Sequence, residues 1–445
     1  MSVLLMGSLA CHAVADGEGE RVTVVFVDRT ISRSDEPITE FELRMACPPE
    51  TPAQTIHGLE IQPRPSKVET DQWGQKIARW RVPELEPGQQ LVVRWIADAT
   101  LYPWQVDLES VRVGSADDIP QEVRDLYLRA GAKYALESEV VRSAAAEVSG
   151  AQAQGQQSNT LELIGALFDY VVDHLKYARD STWDSADVVL DRGTGSCSEY
   201  AFAFIALCRA NGIPARYVGG NARRSDAAFY IDRISHRWAE AYLPGVGWTP
   251  FDPTRSDGKG KYRRFFGRTP EHVLALVRGD GGPDSALSWR YESYHTWQGP
   301  KDAVGIHRRA WWFPPVAEEV RSRVADVAVR TGQARGPKAK RGLIRRARAI
   351  GHPYVLPWLE DFLYDRKVRV AAAQAVRDIG GPPAVVALID CLERANDPEG
   401  DAAVGRMLDE WTGETHGASR SAWRDWLRTA AFRKFTEPGE AGSER

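Results

Sequence analysis

The stretch from Ser196 to Thr254 leaves this chain little freedom in what it can build. Ser196 and Glu199 have the S-x-x-E spacing of a capping box, and the run from Cys197 to Asn211 is apolar along one face, so a helix is expected to start at Cys197. Gly212 ends it and Pro214 blocks its resumption. From His236 to Leu243, His, Trp, Glu and Tyr alternate with Arg, Ala, Ala and Leu, the period-two pattern of a strand. Pro244-Gly245-Val246-Gly247 is turn material, after which the chain returns through Trp248 and Phe251 to Asp252, where Pro253 stops the ladder. Ala201, Ala203, Ala206 and Ala210 let the helix pack close across that hairpin.

The same stretch carries reactive groups in usable places. Cys197 at the first helical position meets unpaired N–H groups and the positive dipole end, which favour a thiolate and can also hold an oxyanion. A thiolate nucleophile needs a base that later protonates the leaving amine, and the base works best when a third group fixes its orientation. The hairpin is expected to set His236 beside Asp252, supplying both. Taken singly, each has a duller reading: a lone cysteine is a small core residue, a strand histidine is structural, and Asp252 before proline is a turn former. Cys208 keeps that core reading. Tyr177 and Trp183, upstream of Cys197, are either oxyanion donors or core aromatics. Glu240 reads equally as a support for the site or a solvated strand charge, while Arg209 and Arg216 are expected to pin the helix-to-strand connection.

On these residues the chain resembles the transglutaminase-like superfamily of papain-related cysteine enzymes. The resemblance rests on Gly195, Cys197, Ala201, Arg209 and Gly212-Ile213-Pro214-Ala215-Arg216, then His236, Trp238, Glu240 and Tyr242, then Gly247-Trp248 and Phe251-Asp252-Pro253-Thr254. It implies an α+β, papain/transglutaminase-like catalytic domain, with Cys197 as nucleophile, His236 as general base and acid, and Asp252 as orienter. It also implies acyl transfer on peptide or carboxamide bonds of a protein or peptide substrate. Water as acceptor makes a peptidase or amidase, to which the likeness to bacterial relatives without calcium sites inclines; an amine acceptor makes a protein-glutamine crosslinker. The chain departs from the pattern at Gly219-Gly220-Asn221, where many relatives carry an aromatic after glycine, which bears on the substrate-side wall.

Elsewhere the sequence excludes more than it assigns. The nine histidines and five cysteines form no C-x-x-C or H-x-x-x-H set, and no calcium loop, phosphate loop or dinucleotide fingerprint occurs, so neither metal nor cofactor is expected. A net charge of −4 argues against nucleic acid as a partner. Scattered cysteines, odd in number, imply no disulfide framework. Residues 1–15 form an apolar segment ending Ala13-Val14-Ala15, a pattern for export and cleavage too short to span a membrane, so no integral membrane segment is expected.

The remaining organisation reads in series. Alternating segments across 20–113 suggest a β-sandwich-like domain before the catalytic domain at 118–300. A connecting segment and basic, breaker-rich linker follow at 301–342. From 343 to 435, Asp365…Val370-Ala371-Ala372…Gly381 aligns with Asp397…Ala402-Ala403-Val404…Gly413, a spacing that resembles a short HEAT-like α-solenoid. Such arrays bind protein, which leaves a non-catalytic adaptor as a reading of another class. If the linker is a true boundary, a chain ending near Arg330 should fold by itself.

Overall fold

Asn159 and Glu162 exchange capping hydrogen bonds at the start of helix α1 (Thr160–His174), as its sequence requires. The computed structural model describes residues 13–15, 18–153, 159–179, 182–225, 227–258, 263–269 and 272–436. Helix α1 stops at His174, and Lys176–Tyr177 turns extended and pairs in parallel with Thr194–Gly195. Helix α2 (Ala186–Arg192) ends on Gly193 at φ 71°, and α3 (Cys197–Ala210) follows. Glu199 closes the cap of α3 by accepting from the Ser196 N–H at 2.7 Å.

Helix α3 lies across an antiparallel sheet of β1 (Ala215–Ala222), β2 (His236–Leu243), β3 (Gly247–Phe251) and β4 (Val273–Gly279), in the order β3-β2-β1-β4. Every residue of α3 from Ser198 to Arg209 is buried. Such burial on all sides needs partners on two faces. Phe204 accordingly meets Phe168 of α1 at 5.9 Å and Phe251 of β3 at 5.6 Å between ring centroids. The hairpin register pairs Ala239 with Phe251 and Glu240 with Pro250, so Asp252 emerges level with the start of β2. The Arg209 guanidinium bonds the Ala215 carbonyl at 2.6 and 2.9 Å, pinning the helix-to-strand connection.

The β-rich region before this core does not stand by itself. Strand Ile38–Ala46 pairs with Lys76–Leu85 and also with Ser293–Gln298, a strand from beyond β4. Gln54 accepts from the Ala275 N–H at 2.7 Å and donates to its carbonyl at 3.0 Å, joining the N-terminal region to β4. The chain therefore divides into two compact units instead of the serial domains expected from sequence. One comprises Met1–Arg21, Asp28–Arg224 and Arg233–His307; the other takes Val22–Val27, Ser225–Asp232 and everything from Arg308 onward. Sequence periodicity reports local elements and is blind to which distant strand completes a sheet.

In the second unit, Tyr230–Asp232 pairs with Ala310–Trp312, and helices follow from Glu318–Thr331 to the C-terminal turns. The stretch 301–342, expected as connecting segment and basic linker, holds the strand Val304–Phe313, the helix Glu318–Thr331 and the start of the helix Gly336–Ile350. The proline of this last helix sits in the first turn, where a missing N–H costs nothing, and Leu343, Ile344 and Ala347 are buried beneath the exposed charges. Arg369 and Asp401, equivalent positions of the two aligned segments, form an ion pair at 2.5 Å. In the first unit the helices Gln121–Tyr127 and Glu139–Ala153 precede α1.

Of the N-terminal export segment, residues 1–12 lie outside the described residues. Ala13–Ala15, the expected cleavage site, pairs with Trp104–Val106. Among the described residues no helix is long and apolar enough to cross a membrane.

Candidate active site

Cys197, His236 and Asp252 come together as the hairpin register requires. The His236 Nε2 lies 2.6 Å from Asp252 Oδ2, with His236 5% and Asp252 0% exposed. That bond leaves Nδ1 as the ring nitrogen for the sulfur, and His236 shares a hydrogen bond with the partly exposed Cys197. Asp252 also caps the short helix Pro253–Ser256, its Oδ1 accepting from Arg255 N at 3.1 Å. One Asp252 oxygen is thus used by the cap and the other by the imidazole. Trp238 stacks alongside His236 at 5.9 Å and 18°, limiting rotation of the ring.

The cluster favours charge on both partners, a thiolate at Cys197 and an imidazolium at His236. Burial alone would disfavour the imidazolium, but the Asp252 carboxylate and the Cys197 sulfur lift His236 to about 9. Burial likewise opposes a thiolate. The hydrogen bond and charge of His236, the Arg237 N–H and the Arg237 guanidinium outweigh it and bring the Cys197 thiol below its ordinary range. Cys208, fully enclosed on the same helix, is pushed far upward by burial, and Cys47 and Cys391 are each raised to about 11.

The neighbouring residues divide by what they hold. Partial burial and then the Cys197 charge raise the Tyr177 hydroxyl, whereas the Trp183 ring stacks on Tyr291 at 5.9 Å. Glu199, 0% exposed, accepts from Thr182 Oγ1, Asp184 N, Arg192 Nη2 and Ser196 N, so one carboxylate ties the Trp183 loop to the start of α3. Glu240 is not solvated: it accepts from Arg216 at 2.7 and 2.9 Å and from Arg278 at 3.1 and 3.3 Å, away from the sulfur. At the Gly219-Gly220 departure, a Cβ on Gly219 would fall 2.4 Å from Tyr291 and one on Gly220 2.2 Å from the Leu274 carbonyl. Gly219 thus admits the Tyr291 ring, and Gly220 admits the close approach of the β4 backbone.

Two features escaped the sequence reading. Asn221, Ser235 and Glu292 form a hydrogen-bonded cluster immediately before His236, with Asn221 Nδ2 3.1 Å from Ser235 Oγ and 2.9 Å from Glu292 Oε1. Arg237 is 0% exposed, on the face of β2 turned toward α3. That second signal was visible in principle, since Arg237 shares its alternation with Ala239 and Ala241 and is a charge on a core face.

Residues 147–253 match the model of the transglutaminase-like superfamily, a span that contains Cys197, His236 and Asp252. The uncharacterized protein YebA of Bacillus subtilis is 34% identical over 70 residues, covering 14% of this chain and 10% of that protein. A protein-glutamine gamma-glutamyltransferase of Pseudomonas aeruginosa is 36% identical over 73 residues, 15% of this chain and 11% of that protein. The matches thus span about a tenth of the length of these curated relatives. Among solved structures, a candidate cysteine protease from Cytophaga hutchinsonii aligns with TM-score 0.46 and 16% identity, covering 66% of this chain and 91% of that one.

Proposed function

We propose that this protein is a cysteine-dependent acyl-transfer enzyme acting on peptide or carboxamide bonds, with Cys197 as nucleophile, His236 as general base and acid, and Asp252 as orienter. The observation that carries the proposal is the buried His236–Asp252 pair at 2.6 Å set against the thiol of Cys197 at a capped helix start. In the cycle, the Cys197 thiolate adds to the substrate carbonyl and the charge on oxygen is met by N–H groups at the start of α3. His236 gives its proton to the departing amine, leaving a thioester. Water then attacks with His236 as base, releasing the acid and restoring the thiol. Cys197 is partly exposed and water needs no dedicated subsite to reach the carbonyl of its thioester, so hydrolysis is the first reading. Capture by a substrate amine is the second, favoured by the Pseudomonas aeruginosa glutamyltransferase as a relative across this segment.

Peptide pools incubated with and without a primary amine, read by mass spectrometry, test both. Cleavage or deamidation marks hydrolysis; ammonia loss with amine incorporation marks crosslinking; neither product from the whole pool removes the enzyme reading and leaves the adaptor. Iodoacetamide is expected to modify Cys197 below the pH at which free thiols react, while Cys47, Cys208 and Cys391 stay unlabelled in the folded chain. Equal labelling of Cys197 and Cys208 on peptide mapping contradicts the assignment. The kcat/KM profile should fall on its basic side near pH 9, because above the His236 value the imidazole no longer carries the proton it must donate.

The C-terminal helices are proposed as a short HEAT-like array with a protein partner, supported by the repeat alignment and the Arg369–Asp401 pair. Export is proposed on the apolar residues 1–15 alone.

A further inference from the structure

Arg237 is an anomaly. Its guanidinium is enclosed by the rings of Trp183 and Phe202, each 4.8 Å away, and of Tyr217 and Tyr291, each 4.5 Å away. One N–H, on Nη2, donates to the Trp289 carbonyl at 2.6 Å, while Nε and Nη1 have no hydrogen-bond partner among the described residues. No ion pair of Arg237 with a carboxylate occurs among them either. Aromatic faces attract a cation, but a guanidinium taken wholly out of water still calls for an anion. Two other arginines buried in this unit have one: Arg209 pairs with Asp280 at 2.9 Å and Arg216 with Glu240 at 2.7 Å.

The anion whose formation the Arg237 charge favours is the thiolate of Cys197. Phe202, one wall of the cage, belongs to the helix that Cys197 begins, and Arg237 directly follows His236 on β2. We infer that Arg237 is a positioning residue whose caged guanidinium is the fixed buried counter-charge of the Cys197 thiolate, acting together with the mobile charge of His236. This rests on the reading of Cys197 as nucleophile. The guanidinium differs from His236 in keeping its proton throughout the cycle, so its charge is in place both when the thiolate forms and when it leaves the thioester. The aromatic walls also prevent the guanidinium from swinging away to bind solvent or a surface carboxylate.

The titratable groups around the two sites are few enough to separate. Cys197 is faced by His236 and Arg237 from β2 and by Tyr177, whose hydroxyl also feels Arg179 and Arg224. On the cage side, Arg237 is faced by Tyr217 and Tyr291. Tyr217 also feels Asp71 and Asp280, the latter engaged by Arg209 and by the Tyr134 hydroxyl at 2.6 Å.

The test is the pH dependence of Cys197 alkylation by iodoacetamide in the full chain, followed by peptide mapping, for the parent, Arg237→Met, Arg237→Gln and Arg237→Lys, with thermal melts alongside. Both neutral variants should raise the pH midpoint by about one unit or more, and Arg237→Lys should recover most of that shift. A pure packing role would not sort variants by charge. Midpoints in the folded neutral variants equal to the parent's overturn the inference, as does a folded Lys variant beside two neutral ones that do not fold, which assigns the cation to the cage itself. A parent Cys197 that titrates like an ordinary thiol instead removes the enzyme reading, so the two failures are told apart.

Discussion

His236→Ala is expected to lower kcat/KM about as far as Cys197→Ala, on the order of 10⁴-fold or more, while Asp252→Asn costs roughly 10- to 100-fold less than either. The reason lies in what each group does to the proton. Without His236 no buried group adjoining the sulfur can shuttle it, so thiolate formation and departure of the amine both fail, and removing the second member of a working pair adds little to the loss of the first. Asp252 moves no proton. It holds Nε2 at 2.6 Å and favours the imidazolium, and asparagine there still offers an oxygen and still caps the helix at Pro253. Steady-state rates on whichever small substrate the peptide pools identify, with melting temperatures measured in parallel, check the ordering. If Asp252→Asn is silent while Glu240→Gln is crippling at unchanged stability, the orienter is Glu240. The geometry argues otherwise, since Glu240 is engaged by Arg216 and Arg278.

Much of this site was legible because its pieces are local. The capping box, the Gly212–Pro214 stop, the alternation of β2 and the turn before β3 each depend on a few consecutive residues, and the hairpin fixes the His236-to-Asp252 pairing once its register is known. What was not legible depends on distant chain. Nothing near Gly219 or Arg237 announces that Trp183 and Tyr291 will close a cage around the guanidinium, or that Ser293–Gln298 will join Ile38–Ala46. Proline also misled by position: a residue that breaks a helix interior begins a helix when it falls in the first turn, as in Gly336–Ile350.

A chain ending near Arg330 is now expected to be insoluble or unfolded in its second unit, contrary to the reading of 301–342 as a spacer. The cut falls inside that unit, at the end of the helix Glu318–Thr331. It leaves the strand Val304–Phe313 in place but removes what satisfies it. Arg309, 4% exposed, loses Glu360 at 2.6 Å and Asp390 at 3.5 Å, and a buried charge left unpaired costs about 3–5 kcal/mol. Phe313 loses Tyr354 at 5.3 Å, and uncovering one such ring costs about 1.5–3 kcal/mol. Together these approach the roughly 5–15 kcal/mol by which a whole domain is stable. Trp311 and Trp312, each 1% exposed, lie on the same strand. Because the unit also takes Val22–Val27 and Ser225–Asp232, no single cut releases it as a continuous piece. Soluble yield, a thermal melt and the small-substrate rate of the shortened chain measure the outcome, and Glu360→Ala in the full chain should lower the melting temperature by the same physics. A shortened chain that stays soluble, melts cooperatively and keeps the full rate would show that the helices beyond Arg330 are dispensable for the fold, and would restore the view of them as an accessory array.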